Sequence, residues 1–298
     1  ILSGGSLDET AEMISSKPPK YLNKNSNKKS VEYMRECNVT SLPIINNERE
    51  LTSIKFLNAR GVYDYKRLNI PVVIMAGGEG TRLQPLTNVL PKPLIPIGEK
   101  TITERIMDNF LSFNCNEFNI IVNYKKNLIK SYFAEIPDYD ISYFEEDTFL
   151  GTAGGLKLIE KKIEDTFFLT NCDIIVDDDY NEIVQHHKRT NAIITLVCTL
   201  KNYTIPYGTI KLNEDGGVES LEEKPSYSFL VNTGMYVIEP RFLNYIPENT
   251  FIHITDIIDE CIKAGEIVSM YPVSENAWMD MGQFEELAKM QDVLIGDK

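Results

Sequence analysis

The chain has 298 residues, 43% of them apolar, with a formal net charge of −14 and a pI near 4.8. That length and apolar content suffice for a large core and more than one domain. The acidity leaves no basic face for the phosphates of a nucleic acid, and no apolar run approaches the roughly 20 residues that span a bilayer. Five cysteines (Cys37, Cys115, Cys172, Cys198, Cys261) lie far apart with no Cys-x-x-Cys pair. This fits reduced thiols in the cytoplasm better than a disulfide frame or a zinc site. No signal peptide is visible, and a chain that begins at Ile1 is expected to be a piece of a longer protein.

Residues 1–68 differ in character from the rest of the chain. A polar stretch, Ser26-Asn27-Lys28-Lys29-Ser30, precedes Val31, Met34 and Val39 at roughly helical spacing. Ser41-Leu42-Pro43-Ile44-Ile45 then reads as a strand, followed by a polar turn and a second strand start at Leu51. Residues 63–69 form a linker. From Ile70, apolar strands alternate with amphipathic helices, the pattern of a doubly wound, Rossmann-like, mostly parallel sheet in an α/β domain over residues 69–298. The first strand, Val72-Val73-Ile74-Met75-Ala76, breaks into Gly77-Gly78-Glu79-Gly80-Thr81-Arg82, with Pro91-Lys92-Pro93 close behind. Glycines let backbone amides approach a ligand without a Cβ in the way, and a run of such amides makes an anion-binding concavity. Thr81 adds a hydroxyl, Arg82 a planar cationic fork, and Lys92 a second cation on a stiff, extended Pro-flanked segment, so Ala76, Gly77, Gly78, Gly80, Thr81, Arg82 and Lys92 form a candidate nucleoside triphosphate cradle. It is not a P-loop, lacking Gly-Lys-Ser/Thr, nor a dinucleotide fingerprint, which needs Gly or Ala where Leu83 stands.

Thr103 to Phe113 reads as a helix and Asn119 to Asn123 as a buried strand ending near Asn123, at the edge where ligands gather in open sheets. Leu150-Gly151-Thr152-Ala153-Gly154-Gly155 is a second glycine turn, opening a helix over Leu156 to Lys162. Asp173 ends another strand, and Asp280 follows Trp278 much later; either alone is an ordinary turn or cap residue. Asp177-Asp178-Asp179 imitates a metal motif but is read as a cap for a helix from Tyr180. Tyr207 and Gly208 open a strand where a sugar could lie close to backbone, and Asn232 is a polar side chain in a strand that packing would prefer apolar. Glu222-Glu223-Lys224 in isolation is a solvated charge run.

Gly77-Gly78-x-Gly80-Thr81-Arg82-Leu83-x-Pro85-Leu86-Thr87 with Pro91-Lys92-Pro93 resembles the signature of the sugar-1-phosphate nucleotidylyltransferases, and the match runs from about residue 70 to 293. The resemblance implies the nucleotidyltransferase fold and a reaction joining a nucleoside monophosphate to a sugar 1-phosphate with release of pyrophosphate. It implies that Asp173 and Asp280 hold Mg²⁺ or Mn²⁺, that Gly151, Thr152 and Ala153 lie against base and ribose, and that Glu223 and Lys224 meet the sugar and its phosphate. Arg82 is assigned to the leaving pyrophosphate and Lys92 to the α-phosphate. Residues 1–68 resemble part of a CBS pair, a module that senses adenine nucleotides; a packing or dimerising appendage is an equal reading. His253 stands where several members of the family carry an acid.

The combination most resembles CBS-linked guanylyltransferases that supply GDP-sugars for bacterial surface or flagellar glycans, including those of legionaminic acid synthesis. GTP is favoured over UTP and dTTP, with glucosamine-1-phosphate or a related hexose or heptose 1-phosphate such as mannose-1-phosphate as acceptor. Alternatives are a uridylyl- or thymidylyltransferase, a catalytically silent CBS nucleotide sensor, and a metal-dependent glycosyltransferase. Neither nucleic acid nor membrane is an expected partner; a homo-oligomer through the CBS segment is.

Overall fold

The computed structural model describes residues 20–23, 33–34, 37, 39, 41–46, 50–56 and 68–295. The chain divides into two compact units, Ile1–Asp64 and Tyr65–Lys298. In the first, β1 (Leu22–Asn23) pairs in parallel with β2 (Ser41–Ile45), which pairs antiparallel with β3 (Leu51–Phe56). Leu22, Met34, Leu42 and Ile44 form its small core, with Tyr33 and Val39 packed against it.

The second unit is built on β4 (Val72–Ala76), β7 (Glu117–Val122), β8 (Asp140–Glu145), β9 (Phe167–Asn171), β11 (Ile194–Thr204), β14 (Ser226–Ile238) and β15 (Val268–Val273). They form one seven-stranded sheet in the order β15-β11-β14-β9-β4-β7-β8. Every pairing is parallel except the two made by β14, which runs against both β11 and β9. Successive residues of a strand point to opposite faces. Accordingly Val72, Ile74 and Ala76 of β4 enter one core cluster and Val73 enters the other.

Between these strands lie two short hairpins, β5 (Pro96–Ile97) with β6 (Lys100–Thr101) and β12 (Thr209–Leu212) with β13 (Val218–Glu222), and a small sheet of β10 (Ile174–Val176) and β16 (Trp278–Asp280). The first cluster is roofed by α1 (Ile102–Ser112), α2 (Lys126–Ala134), α3 (Tyr180–Thr190) and α5 (Phe284–Ile295); the second receives α4 (Ile254–Lys263). Helix starts follow local chemistry. Thr101 and Glu104 make a reciprocal capping box on α1, and Asp179 caps α3 by accepting from the Asn181 amide, as expected from sequence.

Two local expectations need correction. The turn after Gly154 opens a 3₁₀ segment, Gly154–Ile159, rather than an α-helix to Lys162. Two glycines and packing of Leu156 and Ile159 into the core favour the tighter winding there. Lys92 is not in an extended segment: Pro91 is extended, but Lys92–Leu94 is a 3₁₀ turn, with Pro93 supplying its fixed φ. Among the described residues no helix is long and apolar enough to cross a membrane.

Phe110 of α1 is 1% exposed and its ring meets Phe168 and Tyr180 at 5.2 and 4.8 Å. Phe110→Ala is expected to cost about 3–5 kcal/mol, read as a lower urea midpoint at unchanged slope. A loss below about 1 kcal/mol would contradict this packing.

Candidate active site

The loop after β4 is close-packed at Gly77 and Gly80 and open at Gly78. Gly80 has φ +68°, and a Cβ there would sit 3.0 Å from Thr87 Cγ2 and 3.3 Å from Lys92 Cβ. The Thr87 hydroxyl donates to the Gly80 carbonyl at 3.0 Å, which holds the loop against the next turn. Leu83 is wholly buried and anchors the short 3₁₀ turn Thr81–Leu83, while Thr81, Arg82 and Gly78 face solvent. The loop is thus pinned from below and open above.

The second glycine turn is fixed by the backbone of the segment leading into α4. Ile252 N–H donates to Leu150 O and Ala153 N–H to Ile252 O, both at 3.1 Å, and Ile254 N–H donates to the Thr152 hydroxyl at 3.0 Å. Gly151 has φ +83°, with its absent Cβ only 2.4 Å from Ile252 O, so the turn admits glycine alone. The Thr152 hydroxyl also lies 3.5 Å from His253 Nδ1.

The two acids far apart in sequence meet through the small sheet. Register pairs Ile174 with Asp280, and Met281 N–H donates to Asp173 O at 2.9 Å. The Lys92 ammonium forms a buried ion pair with the Asp173 carboxylate, the two residues being 8% and 9% exposed. A Cβ on Gly282 would stand 2.9 Å from Asp280 Oδ2 and 3.2 Å from Arg82 Nη1. Arg82, Lys92, Asp173 and Asp280 are therefore gathered in one place at the carboxyl edge of the parallel strands. Burial first, and then the neighbouring Asp173 charge, push the Asp280 carboxyl above its usual range; Lys92 and Arg82 oppose that shift. A cavity of about 310 Å³ opens beside Asp280, with Tyr203, Trp278 and Met290 among its walls.

The other sequence-derived positions sit differently. Asn123 donates to Glu146 O at 2.8 Å, bridging the ends of β7 and β8. Asn232 spends both ends of its amide inside the protein, donating to the Tyr236 hydroxyl at 2.6 Å and accepting from Gly234 N–H at 3.1 Å. Tyr207, Gly208, Glu223 and Lys224 are all exposed around the β12–β13 hairpin. Gly208 and Glu223 face each other, a Cβ on the glycine falling 3.0 Å from Glu223 Oε2. No hydrogen bond or ion pair among the described residues links these four to the acids.

Sequence reasoning missed Glu146. It lies at the end of β8, 2% exposed, between the two glycine turns. One carboxylate oxygen accepts from Leu150 N–H at 3.3 Å; the other, shielded from solvent, has no hydrogen-bond partner. Burial pushes this carboxyl up to about 7, the Leu150 amide opposing it. A Glu-Glu pair ending a strand just before a glycine turn was the available signal.

Residues 71–295 match the family model described as nucleotidyl transferase. The chain belongs to that family. Its curated relatives include a mannose-1-phosphate guanyltransferase of Aspergillus oryzae, 32% identical over 71% of this chain and 60% of the relative. A UTP–glucose-1-phosphate uridylyltransferase of Synechocystis is 29% identical over the same shares, and the bifunctional protein GlmU of Methanococcus aeolicus 31% identical over 71% of this chain and 51% of that protein. The chain spans about 60% of the length of the first two. Among solved structures, HddC from Yersinia pseudotuberculosis superposes with a TM-score of 0.60 at 23% identity, covering 76% of this chain and 99% of that one. The shared fold is the α/β nucleotidyltransferase fold with its mostly parallel central sheet.

The raised Glu146 carboxyl has a consequence for stability. The folded protein holds this proton up to about pH 7, whereas the unfolded chain releases it near 4.5. The wild type therefore loses stability as pH rises through that window. Glu146→Gln escapes the loss, so its Tm relative to wild type is expected to rise between pH 4.5 and 7.5. A Tm difference independent of pH would show that the carboxyl is not held neutral.

Proposed function

We propose that the chain is the catalytic part of a sugar-1-phosphate nucleotidylyltransferase that transfers GMP from GTP to a hexose or heptose 1-phosphate, with glucosamine-1-phosphate and mannose-1-phosphate as the leading acceptors. The observation that carries the reading is the convergence of Arg82, Lys92, Asp173 and Asp280 beside a glycine loop. GTP is supported by the guanyltransferases among the relatives, although a uridylyltransferase stands beside them.

In the reaction an oxygen of the sugar 1-phosphate attacks the α-phosphorus of the triphosphate in line, and the bond from that phosphorus to the bridging oxygen of pyrophosphate breaks. Both reactants are anions, so repulsion and misalignment form the main barrier, and no covalent enzyme intermediate is required. The glycine-loop amides and Thr81 hold the triphosphate, and Arg82, exposed at the loop's end, takes the charge that develops on the leaving pyrophosphate. Lys92, oriented by Asp173, brings its ammonium to the α-phosphate. Thr152 and the turn around it hold ribose and base. Tyr207, Gly208, Glu223 and Lys224 on the exposed hairpin receive the sugar phosphate.

Mg²⁺ or Mn²⁺ suits the acid pair. Two carboxylates close enough for one to raise the other are relieved by a divalent cation, and hard oxygen donors in this number leave room for phosphate oxygens. When bound, the ion supplies charge neutralisation and Lewis-acid polarisation of the phosphates. Asp173 and Asp280 are the residues that would hold it.

Residues 1–68 are proposed as part of a CBS module, with an adenine nucleotide as ligand of the intact module and self-association as a second role. Cytoplasmic placement and a role in surface or flagellar glycan synthesis, of the legionaminic acid type, complete the reading; the buried free thiols of Cys115, Cys172, Cys198 and Cys261 accord with a reducing compartment.

A pyrophosphate-release assay over four nucleoside triphosphates and several sugar phosphates tests the activity: pyrophosphate is expected with GTP and only when both a sugar phosphate and a divalent ion are present. Its absence with every pair would overturn the reading. Asp280→Asn separates chemistry from folding. Because the folded state resists the charge on Asp280, the variant is expected to melt no lower than wild type at pH 7.5 while turning over at least about 100-fold more slowly. Unchanged turnover would remove Asp280 from the site.

A further inference from the structure

The stretch from Gly80 to Leu94 winds through three short 3₁₀ turns and no strand, so its shape depends on what its free backbone groups meet. The second turn, Leu86–Asn88, ends in carbonyls that the turn itself cannot satisfy. Two consecutive residues just after β7 satisfy them. The Tyr124 hydroxyl donates to Thr87 O at 3.2 Å, and the Lys125 ammonium donates to Asn88 O and, at 2.9 Å, to Val89 O. The same pair reaches the other end of the glycine loop, where Tyr124 N–H donates to Gly77 O at 3.3 Å. The Thr87 hydroxyl passes the restraint inward by donating to Gly80 O at 3.0 Å. Both ends of the mostly exposed span Gly78–Arg82 are therefore tied to one dipeptide.

Lys125 holds this post in a conformation that side chains rarely adopt. Its φ is +51°, in the left-handed region, and although it stands at the N-cap of α2 its side chain makes no cap bond to that helix. Such strain persists only where surrounding contacts hold it, and it clusters at ligand clamps. The three donors of an ammonium can serve two carbonyls at once, and a cation is the favoured charge at the carboxyl end of a helical turn. Resting on the reading that the glycine loop holds the triphosphate, we propose that Lys125 is a positioning residue for that ligand. It acts through the Asn88 and Val89 carbonyls rather than by touching substrate, with Tyr124 as the second tie. Thr87 and Lys92 are also the side chains that press on the Gly80 backbone. A slackened segment 87–89 would therefore move the loop and Lys92 together.

Lys125→Met keeps the stem and removes the donors. In pyrophosphate-release kinetics on the full chain its KM for GTP is expected to rise about tenfold, with the KM for the sugar 1-phosphate within about twofold of wild type. Lys125→Arg restores donors and is expected to stay within about threefold of wild type for GTP. Amide hydrogen exchange reads the brace without turnover. In nucleotide-free Lys125→Met, the Leu83 and Gln84 amides, which close the first turn onto Gly80 and Thr81, are expected to exchange about tenfold faster than in wild type, with β7 unchanged. A urea melt checks that the variant is folded; if it is not, Tyr124→Phe, which loses one tie, is read in the same way with an expected KM rise of about threefold. An unchanged KM for GTP, an equal rise in both KM values that Lys125→Arg does not relieve, or unchanged exchange at Leu83 and Gln84 would overturn the assignment. A wild type that releases no pyrophosphate with any pair would overturn the transferase reading instead, and exchange at Leu83 and Gln84 would then decide by itself whether Lys125 shapes the loop.

Discussion

A three-residue antiparallel pairing, β10 against β16, fixes the site. It sets Asp280 opposite Ile174 and so beside Asp173, two acids brought together from distant parts of the chain. Like charges this close are costly, and the fold answers in two ways: Lys92 is ion-paired to Asp173, and Arg82 lies by Asp280 across Gly282. The cluster is nearly balanced by its own cations, but only at close quarters and in a partly buried place. Such a cluster stores an electrostatic preference for a divalent ion and for polyphosphate oxygens.

The sheet explains why the pieces converge there. β4, β7, β8 and β9 are parallel, so their carboxyl ends lie along one edge, and the glycine loop, Asn123, Glu146 and Asp173 all come just after those ends. Both faces of the sheet are covered by apolar clusters, which leaves that edge as the place where backbone groups and charges can meet a ligand. β11 carries the chain out to the exposed β12–β13 hairpin, where Glu223 and Lys224 sit in solvent, and the antiparallel β14 brings it back into the sheet.

Much of the fold was legible because its signals are local. Val72 to Ala76 is a continuous apolar run, the glycine loop punctuates it, and Asp179 precedes a helix whose start it caps. The first loop could be read as a candidate phosphate cradle because glycines, Thr81 and Arg82 carry their chemistry in adjacent positions. What sequence could not give was pairing across distance. Nothing near Lys92 reveals its ion pair with Asp173, and the winding after Gly154 was decided by packing of Leu156 and Ile159 rather than by helix propensity. Glu146 escaped notice because an acid in a Glu-Glu-Asp run looks solvated; only the folded neighbourhood, with Gly77 and Gly155 pressed against it, makes it buried. Asn232, a polar side chain where packing would prefer an apolar one, donates to the Tyr236 hydroxyl and accepts from Gly234 N–H.

Asp173 and Asp280 are proposed to share one divalent ion, and a metal-switch experiment addresses that most directly. Asp280→Cys exchanges a hard oxygen for a soft sulfur. The variant is expected to be inactive with Mg²⁺ and to regain turnover when Cd²⁺ is supplied. Folded Asp280→Cys protein that works as well as wild type with Mg²⁺, or that no thiophilic metal restores, would contradict the shared ion.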